Sequence, residues 1–314
     1  MKTMMDIEFH AARLPGREAA ILGPSGCGND VVEIQDLTID VPSILVKITL
    51  EETDPRVSKV LTLLDQYGEE RWVSRWDVYT EDELQSAPLL ILGLTGATAS
   101  GGQEYGTTYD TSPACPKCGT GTRQTSALNI DRSDLNEIAK FRVAGTTDGE
   151  RLVLDVDVER LLAAGVTGAL FWPVYAKSKG GDLEELRHQQ LFIEHVMPPM
   201  SLKSSLNRTK ACPDCGRGWY THMMNEPIRF VYRGEDLANI QDFNLTSEWF
   251  GEPPHFCEPL NAVVQGPRHP WVLVTPKVMN LLRGKTKKEQ KYQGCGFAPI
   301  WIEDDSHDKP YLMT

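Results

Sequence analysis

The apolar positions of the chain fall into short blocks whose spacing predicts a mixture of strands and helices. Residues 1 to about 45 show little periodicity and read as irregular, with a flexible glycine turn at Gly23, Gly26 and Gly28. Ile44 to Leu50 reads as a strand. Val57, Val60, Leu61 and Leu64 have helical spacing. Trp72 to Val78 and Leu89 to Leu92 read as strands. Between them, Thr80 followed by Glu83 makes a capping box for a short helix. A glycine- and threonine-rich stretch runs from Gly93 to Ser112, and Ser133 begins a short capped helix through Ile138.

A pattern then occurs twice. Leu152–Leu154 is a strand, Asp155 can cap a helix carrying Val158, Leu161 and Leu162, Gly165 ends it, and Gly168–Pro173 is a second strand. Val272–Val274, Thr275, Pro276, the helix with Val278, Leu281 and Leu282, Gly284, and Gly294–Pro299 repeat that order. The second copy has a longer basic linker, Lys285 to Lys291. Between the copies, Asp182, Glu184, Glu185 and Arg187 show a helical charge pattern, which ends at the Met197–Met200 turn.

Each copy lies downstream of a CPxCG motif, Cys115–Gly119 and Cys212–Gly216. The expectation is a degenerate internal duplication: an α+β fold of two similar strand-helix-strand units with mixed sheets, clamped by a four-cysteine zinc site. The predicted regions are an N-terminal α/β region over 1–110 and a zinc-clamped region over 111–314. The latter holds units 111–177 and 206–303, able to form one continuous body.

The cysteine chemistry follows from the spacing. In a CPxCG turn two thiolates converge on one side, and the glycine permits a positive φ. Two such knuckles supply four sulfurs, the tetrahedral set of a structural Zn²⁺ with no open position for substrate. The proposed ligands are Cys115, Cys118, Cys212 and Cys215. The spacing departs from an ordinary zinc ribbon, because 94 positions separate Cys118 from Cys212. A redox pair is the weaker reading, since neither motif opens a periodic helix. Cys27, Cys257 and Cys295 read as ordinary thiols, and His222 as a minor substitute ligand.

Composition narrows the function. A net charge of -12 disfavours a chain that binds nucleic acid as a whole and suits a basic protein partner. The N-terminus has no apolar signal-peptide core, and the longest apolar stretch is too short to span a bilayer. Paired cysteines suit a reducing cytoplasm. Gly23–Gly28 resembles a phosphate-binding loop, but Asn29 and Asp30 stand where lysine and a hydroxyl are needed. The seven histidines form no catalytic arrangement, and the chain reads as not an enzyme. Trp72, Trp76, Trp219, Trp249, Trp271 and Trp301 read as core.

The two CPxCG knuckles with the two downstream units resemble a bacterial family of double-CxxCG-motif proteins, related to immunity proteins of polymorphic toxin systems. The further residues that carry the resemblance are Asp77–Tyr79 with Leu84 and Leu89–Leu92, Val158–Leu162 through Pro173, Ser247–Gly251, and Val274–Val278 through Pro299. The resemblance spans roughly residues 40 to 303. It implies a non-enzymatic immunity protein that binds and neutralises a cognate toxin by occlusion. Glu51-Glu52-Asp54 or Glu81-Asp82-Glu83 would steer it onto a basic toxin face. The alternative is a zinc-ribbon nucleic-acid-binding or regulatory protein, using Lys203, Arg208, Lys210, Arg217 and the Lys285 to Lys291 linker.

Overall fold

The computed structural model describes residues 1–12, 16–36, 43–177, 181–208, 211–222, 225–251 and 269–303. The chain is mixed α+β and divides into two compact units, 1–80 with 222–228, and 81–221 with 229–314.

The first unit is a four-stranded antiparallel sheet built from β1 (Lys2–Ala12), β2 (Val32–Asp36), β3 (Ser43–Glu51) and β4 (Arg71–Val78), in the order β2-β3-β1-β4. The expectation that residues 1–45 are irregular is corrected. Met5, Ile7, Phe9 and Ala11 alternate along β1 and are buried on one face, the period of a half-buried strand. Helices α1 (Arg17–Ser25) and α2 (Pro55–Tyr67) cover that face with Ile21, Val57, Val60 and Leu64. Helix α2 begins where the Asp54 carboxylate accepts from the Arg56 amide at 2.8 Å, with Pro55 in the first turn. The glycine turn is also corrected: Gly23 and Pro24 lie in the last turn of α1, and Gly26, at φ 76°, is its left-handed C-terminal cap.

The second unit holds two six-stranded mixed sheets. One contains β6 (Thr98–Ala99), β9 (Leu128–Ile130), β10 (Val143–Thr146), β11 (Arg151–Leu154), β12 (Leu170–Lys177) and β13 (Leu183–Phe192), in the order β6-β10-β11-β13-β12-β9. The other contains β5 (Leu90–Leu94), β14 (Leu206–Arg208), β15 (Trp219–His222), β17 (Phe243–Phe250), β18 (His269–Val274) and β19 (Cys295–Pro299), in the order β14-β15-β17-β18-β5-β19. Two small pairs complete the unit, β7 (Tyr109–Asp110) with β8 (Arg123–Gln124), and β16 (Val231–Tyr232) with β20 (Trp301–Ile302). Its helices are α3 (Glu81–Ser86), α4 (Leu135–Ile138), α5 (Asp155–Ala163), α6 (Pro276–Leu282) and α7 (Lys287–Lys291).

The duplicated units are β11-α5-β12 and β18-α6-β19, and the structure extends the likeness beyond them. In the first sheet β10 pairs with β11, and β13 lies between β11 and β12, antiparallel to both. In the second β17 pairs with β18, and β5 lies between β18 and β19, antiparallel to both. The inserted strand follows its unit in the first copy and precedes both units in the second. β5 therefore belongs to this body although it falls within the 1–110 region of the sequence reading.

The two copies interlock reciprocally. The Arg142 and Val143 amides, at the entry to β10, donate to Tyr292 and Gln293 just before β19, at 2.9 and 3.0 Å. The Phe243 amide, at the entry to β17, donates to Thr167 just before β12, at 3.0 Å. Gly168 and Gly294 make the crossings possible. Both have positive φ, 81° and 78°; a Cβ at Gly294 would overlap the Val143 carbonyl, and one at Gly168 the Phe243 carbonyl.

Four local expectations change. The charged segment read as helical is strand β13, because Leu186, His188 and Gln190 turn inward at every second position while the acids stay out. The basic linker contains helix α7, capped by Thr286 and Glu289. Asp155 does not cap α5: its carboxylate accepts instead from Gln189 Nε2 at 3.3 Å. Asp131, not Ser133, caps the 3₁₀ turn that leads into α4.

The crossings yield a prediction. Gly294→Ala places a methyl group against backbone and forces a left-handed alanine, so it should cost about 3 kcal/mol or more. Gly165→Ala, at φ 60° with open space around it, should cost only about 1–2 kcal/mol. Urea denaturation of the two variants measures the difference.

Candidate metal centre

Each CPxCG motif sits at the tip of a β-hairpin. Tyr109 pairs with Gln124 and Asp110 with Arg123 below the first knuckle. β14 and β15 form the second hairpin, and β15 continues into the sheet, where Trp219 lies opposite Trp249. The first hairpin is tied to β13 of the first six-stranded sheet by a reciprocal amide pair, Gln124 with Gln190, at 2.9 and 2.8 Å.

The two knuckles have the same backbone. The Cys115 amide donates to Thr120 at 2.8 Å and the Gly119 amide to Cys115 at 2.9 Å. The Cys212 amide donates to Arg217 at 2.8 Å and the Gly216 amide to Cys212 at 2.9 Å. Gly119 and Gly216 have φ of 72° and 71°, the left-handed turn that returns the chain after the second cysteine. The expected local geometry is therefore present twice.

The knuckles converge although they are distant in sequence. The sulfurs of Cys115, Cys118, Cys212 and Cys215 all lie within 4.8 Å of one another. Equivalent cysteines face each other, Cys115 Sγ to Cys212 Sγ at 3.9 Å and Cys118 Sγ to Cys215 Sγ at 3.6 Å. These separations are too long for a disulfide. A tetrahedral ion with metal–sulfur bonds of about 2.3 Å sets its sulfurs about 3.8 Å apart. The four cysteines fit such an ion with little movement.

The surroundings suit a structural site. Cys118 and Cys212 are buried against Trp219, with Trp249 beside them and the Arg217 guanidinium 5.4 Å from the Trp249 ring centre. Burial opposes ionisation of Cys115, but hydrogen bonds from the Lys117 and Cys118 amides and the neighbouring thiols bring it down to about 7. Burial pushes Cys118 up to about 12 and also raises Cys215. One thiolate thus forms readily, and its neighbours resist adding charge beside it. A cation at the centre removes that conflict.

The remaining singled-out residues lie elsewhere. Cys27 is in the core of the first unit, and Cys295 is a buried β19 thiol pushed up to about 12 by burial. Cys257 and the His222 side chain lie outside the described residues. Of the tryptophans, Trp219 and Trp301 are core as expected, whereas Trp72 and Trp76 are exposed, which corrects that reading. The acidic clusters are occupied: Glu51 pairs with Lys2, Glu52 with Arg75, Asp54 with Arg56 and Glu81 with Arg283, while Glu83 is buried. Among the described residues no helix is long and apolar enough to cross a membrane. No protein-family model matches the chain, and no curated protein is significantly similar to it.

Metal binding and acid should oppose each other at this centre, since thiolates must lose protons to bind and regain them on release. The protein should hold about one divalent ion per chain at pH 7.5 and release it as the pH falls. Cys118→Ser with Cys215→Ser should lose the ion and several kcal/mol of stability. Metal analysis across a pH series, with denaturation of the variant, checks both.

Proposed function

We propose that the protein is a non-enzymatic immunity protein that binds a cognate bacterial toxin and occludes its active surface. On this reading it is cytoplasmic and carries a structural zinc ion on Cys115, Cys118, Cys212 and Cys215. Four soft sulfur ligands in a tetrahedral set favour zinc. The closed set points to a scaffolding role for the ion.

The observation that carries the reading is the outer face of the first unit's sheet. Trp72 and Trp76 stand on β4 at 56% and 36% exposure, opposite Glu8 and Met4 of β1. Val78 is exposed in the same row. Tryptophans held by an antiparallel sheet are typical anchors of protein interfaces, since they bury large area with little loss of freedom. Asp6 and Glu8 share this face, where Lys47 is their counter-charge. The net charge of -12 favours a basic partner through its long-range field. The pairing of Glu51, Glu52 and Asp54 with basic neighbours leaves the tryptophan face as the better contact surface.

The nucleic-acid reading has less support. Lys203 pairs with Glu303 at 3.4 Å, Arg208 reaches the Gly216 carbonyl at 3.4 Å, and Arg217 packs on Trp249. These cations are engaged within the chain, and Lys210 lies outside the described residues.

The test is co-purification with a toxin-like protein encoded beside this chain. Trp72→Ala with Trp76→Ala should weaken that complex by about 3 kcal/mol or more, roughly a hundredfold, while leaving the unfolding temperature unchanged. Undiminished affinity in the double variant would remove the proposed face. Failure of the wild type to protect cells making the toxin would remove the immunity reading.

A further inference from the structure

A cleft of about 440 Å³ opens in the second unit, lined by the β10–β11 turn, β12, β13 and the start of β18. Arg151 lines it and is only 7% exposed. Its Nη1 donates to the Gly149 carbonyl, which fixes the plane of the guanidinium. Its Nε and Nη2 have no partner among the described residues. A guanidinium can grip a carboxylate through two parallel hydrogen bonds. Among the described residues no carboxylate pairs with it; only the through-space pull of Glu150 opposes burial, which drives the group down to about 10. Buried arginines are ordinarily paired, because an uncompensated charge away from water is costly.

His269 stands beside it. Its Nδ1 is buried without a partner among the described residues. Burial and the Arg151 charge hold it down to about 4, so it is neutral at pH 7 and adds a hydrogen-bonding group without a second cation. Another part of the cleft is apolar: Trp172 and Phe192 meet there with ring centres 4.3 Å apart. Asp148, Glu150 and Glu194 also line the cleft and oppose a doubly charged anion such as phosphate.

We infer that this cleft binds a small organic carboxylate, its carboxyl group on the unpaired Arg151 guanidinium and its apolar body against Trp172 and Phe192. None of the four cysteines lines the cleft, although Trp249, which packs beside Cys118 and Cys212, does. One unpaired guanidinium matches a monoanion, and the aromatic wall selects ligands with an apolar body.

The experiment titrates full-length, metal-loaded protein with phenylacetate, benzoate and indole-3-acetate. Unfolding temperature is the readout for all three, with tryptophan fluorescence added for the first two. Phenylacetamide is the uncharged control. At least one carboxylate should bind saturably and raise the unfolding temperature, with phenylacetamide at least tenfold weaker than phenylacetate. Arg151→Met should weaken binding at least tenfold yet leave the ligand-free unfolding temperature equal or higher, since it removes an unpaired buried charge. Absence of saturation by all three acids up to about 20 mM, weaker than an ordinary ligand of their size, overturns the inference. So does equal binding of the amide, a comparison that needs no variant. Full affinity in Arg151→Met likewise overturns it.

Discussion

Four sulfurs within 4.8 Å of one another are the constraint on which the second unit turns. Two thiolates 4 Å apart repel by about 4 kcal/mol at the effective dielectric of a protein surface, and four multiply the pairs. Hydrogen bonds from the knuckle amides relieve the first charge at Cys115 but leave Cys118 strongly opposed to ionisation. A dication at the centre turns each repulsion into a shared attraction. Because two ligands come from a hairpin after β7 and two from a hairpin after β14, binding closes a loop of nearly a hundred residues. Such closure constrains mainly the unfolded chain, as a cross-link of that span would.

The same pairing of halves recurs away from the cysteines. Each copy presents a glycine at positive φ to the entry strand of the other, and each accepts backbone hydrogen bonds there. Cysteines, glycines and strand orders are thus exchanged in matched pairs. The inserted strands break the match in sequence, with β5 before both copies and β13 after the first. Their side chains differ accordingly. Leu90, Ile91 and Leu92 fill the β5 position, whereas the corresponding part of β13 presents His188 and Gln190. The polar version abuts the Arg151 cleft and the Gln124–Gln190 tie to the first hairpin.

The cysteine centre was legible because its information is local. The i, i+3 cysteines with a following glycine specify each knuckle, and two knuckles specify a four-sulfur site whatever the distance between them. The duplicated units were legible because helix α6 after Thr275-Pro276 and the glycines before β12 and β19 are also local signals. What escaped was set by partners remote in sequence. β13 carries acids at positions that also fit a helix, and only its place between β11 and β12 makes it a strand. The alternation of Met5, Ile7, Phe9 and Ala11 was present in the sequence but interrupted by Met4, an apolar residue off the buried stripe. Exposure of Trp72 and Trp76 depends on which face of the sheet the helices cover. Arg151 gave no sequence signal, since a buried unpaired arginine is recognised only once its neighbours are placed.

X-ray absorption at the zinc edge of the purified full-length protein tests the central claim most directly. The account predicts one zinc per chain with a first shell of four sulfurs at about 2.3 Å and no lighter ligand. A shell containing nitrogen or oxygen, or a preparation without zinc whose second unit is fully folded, would contradict it.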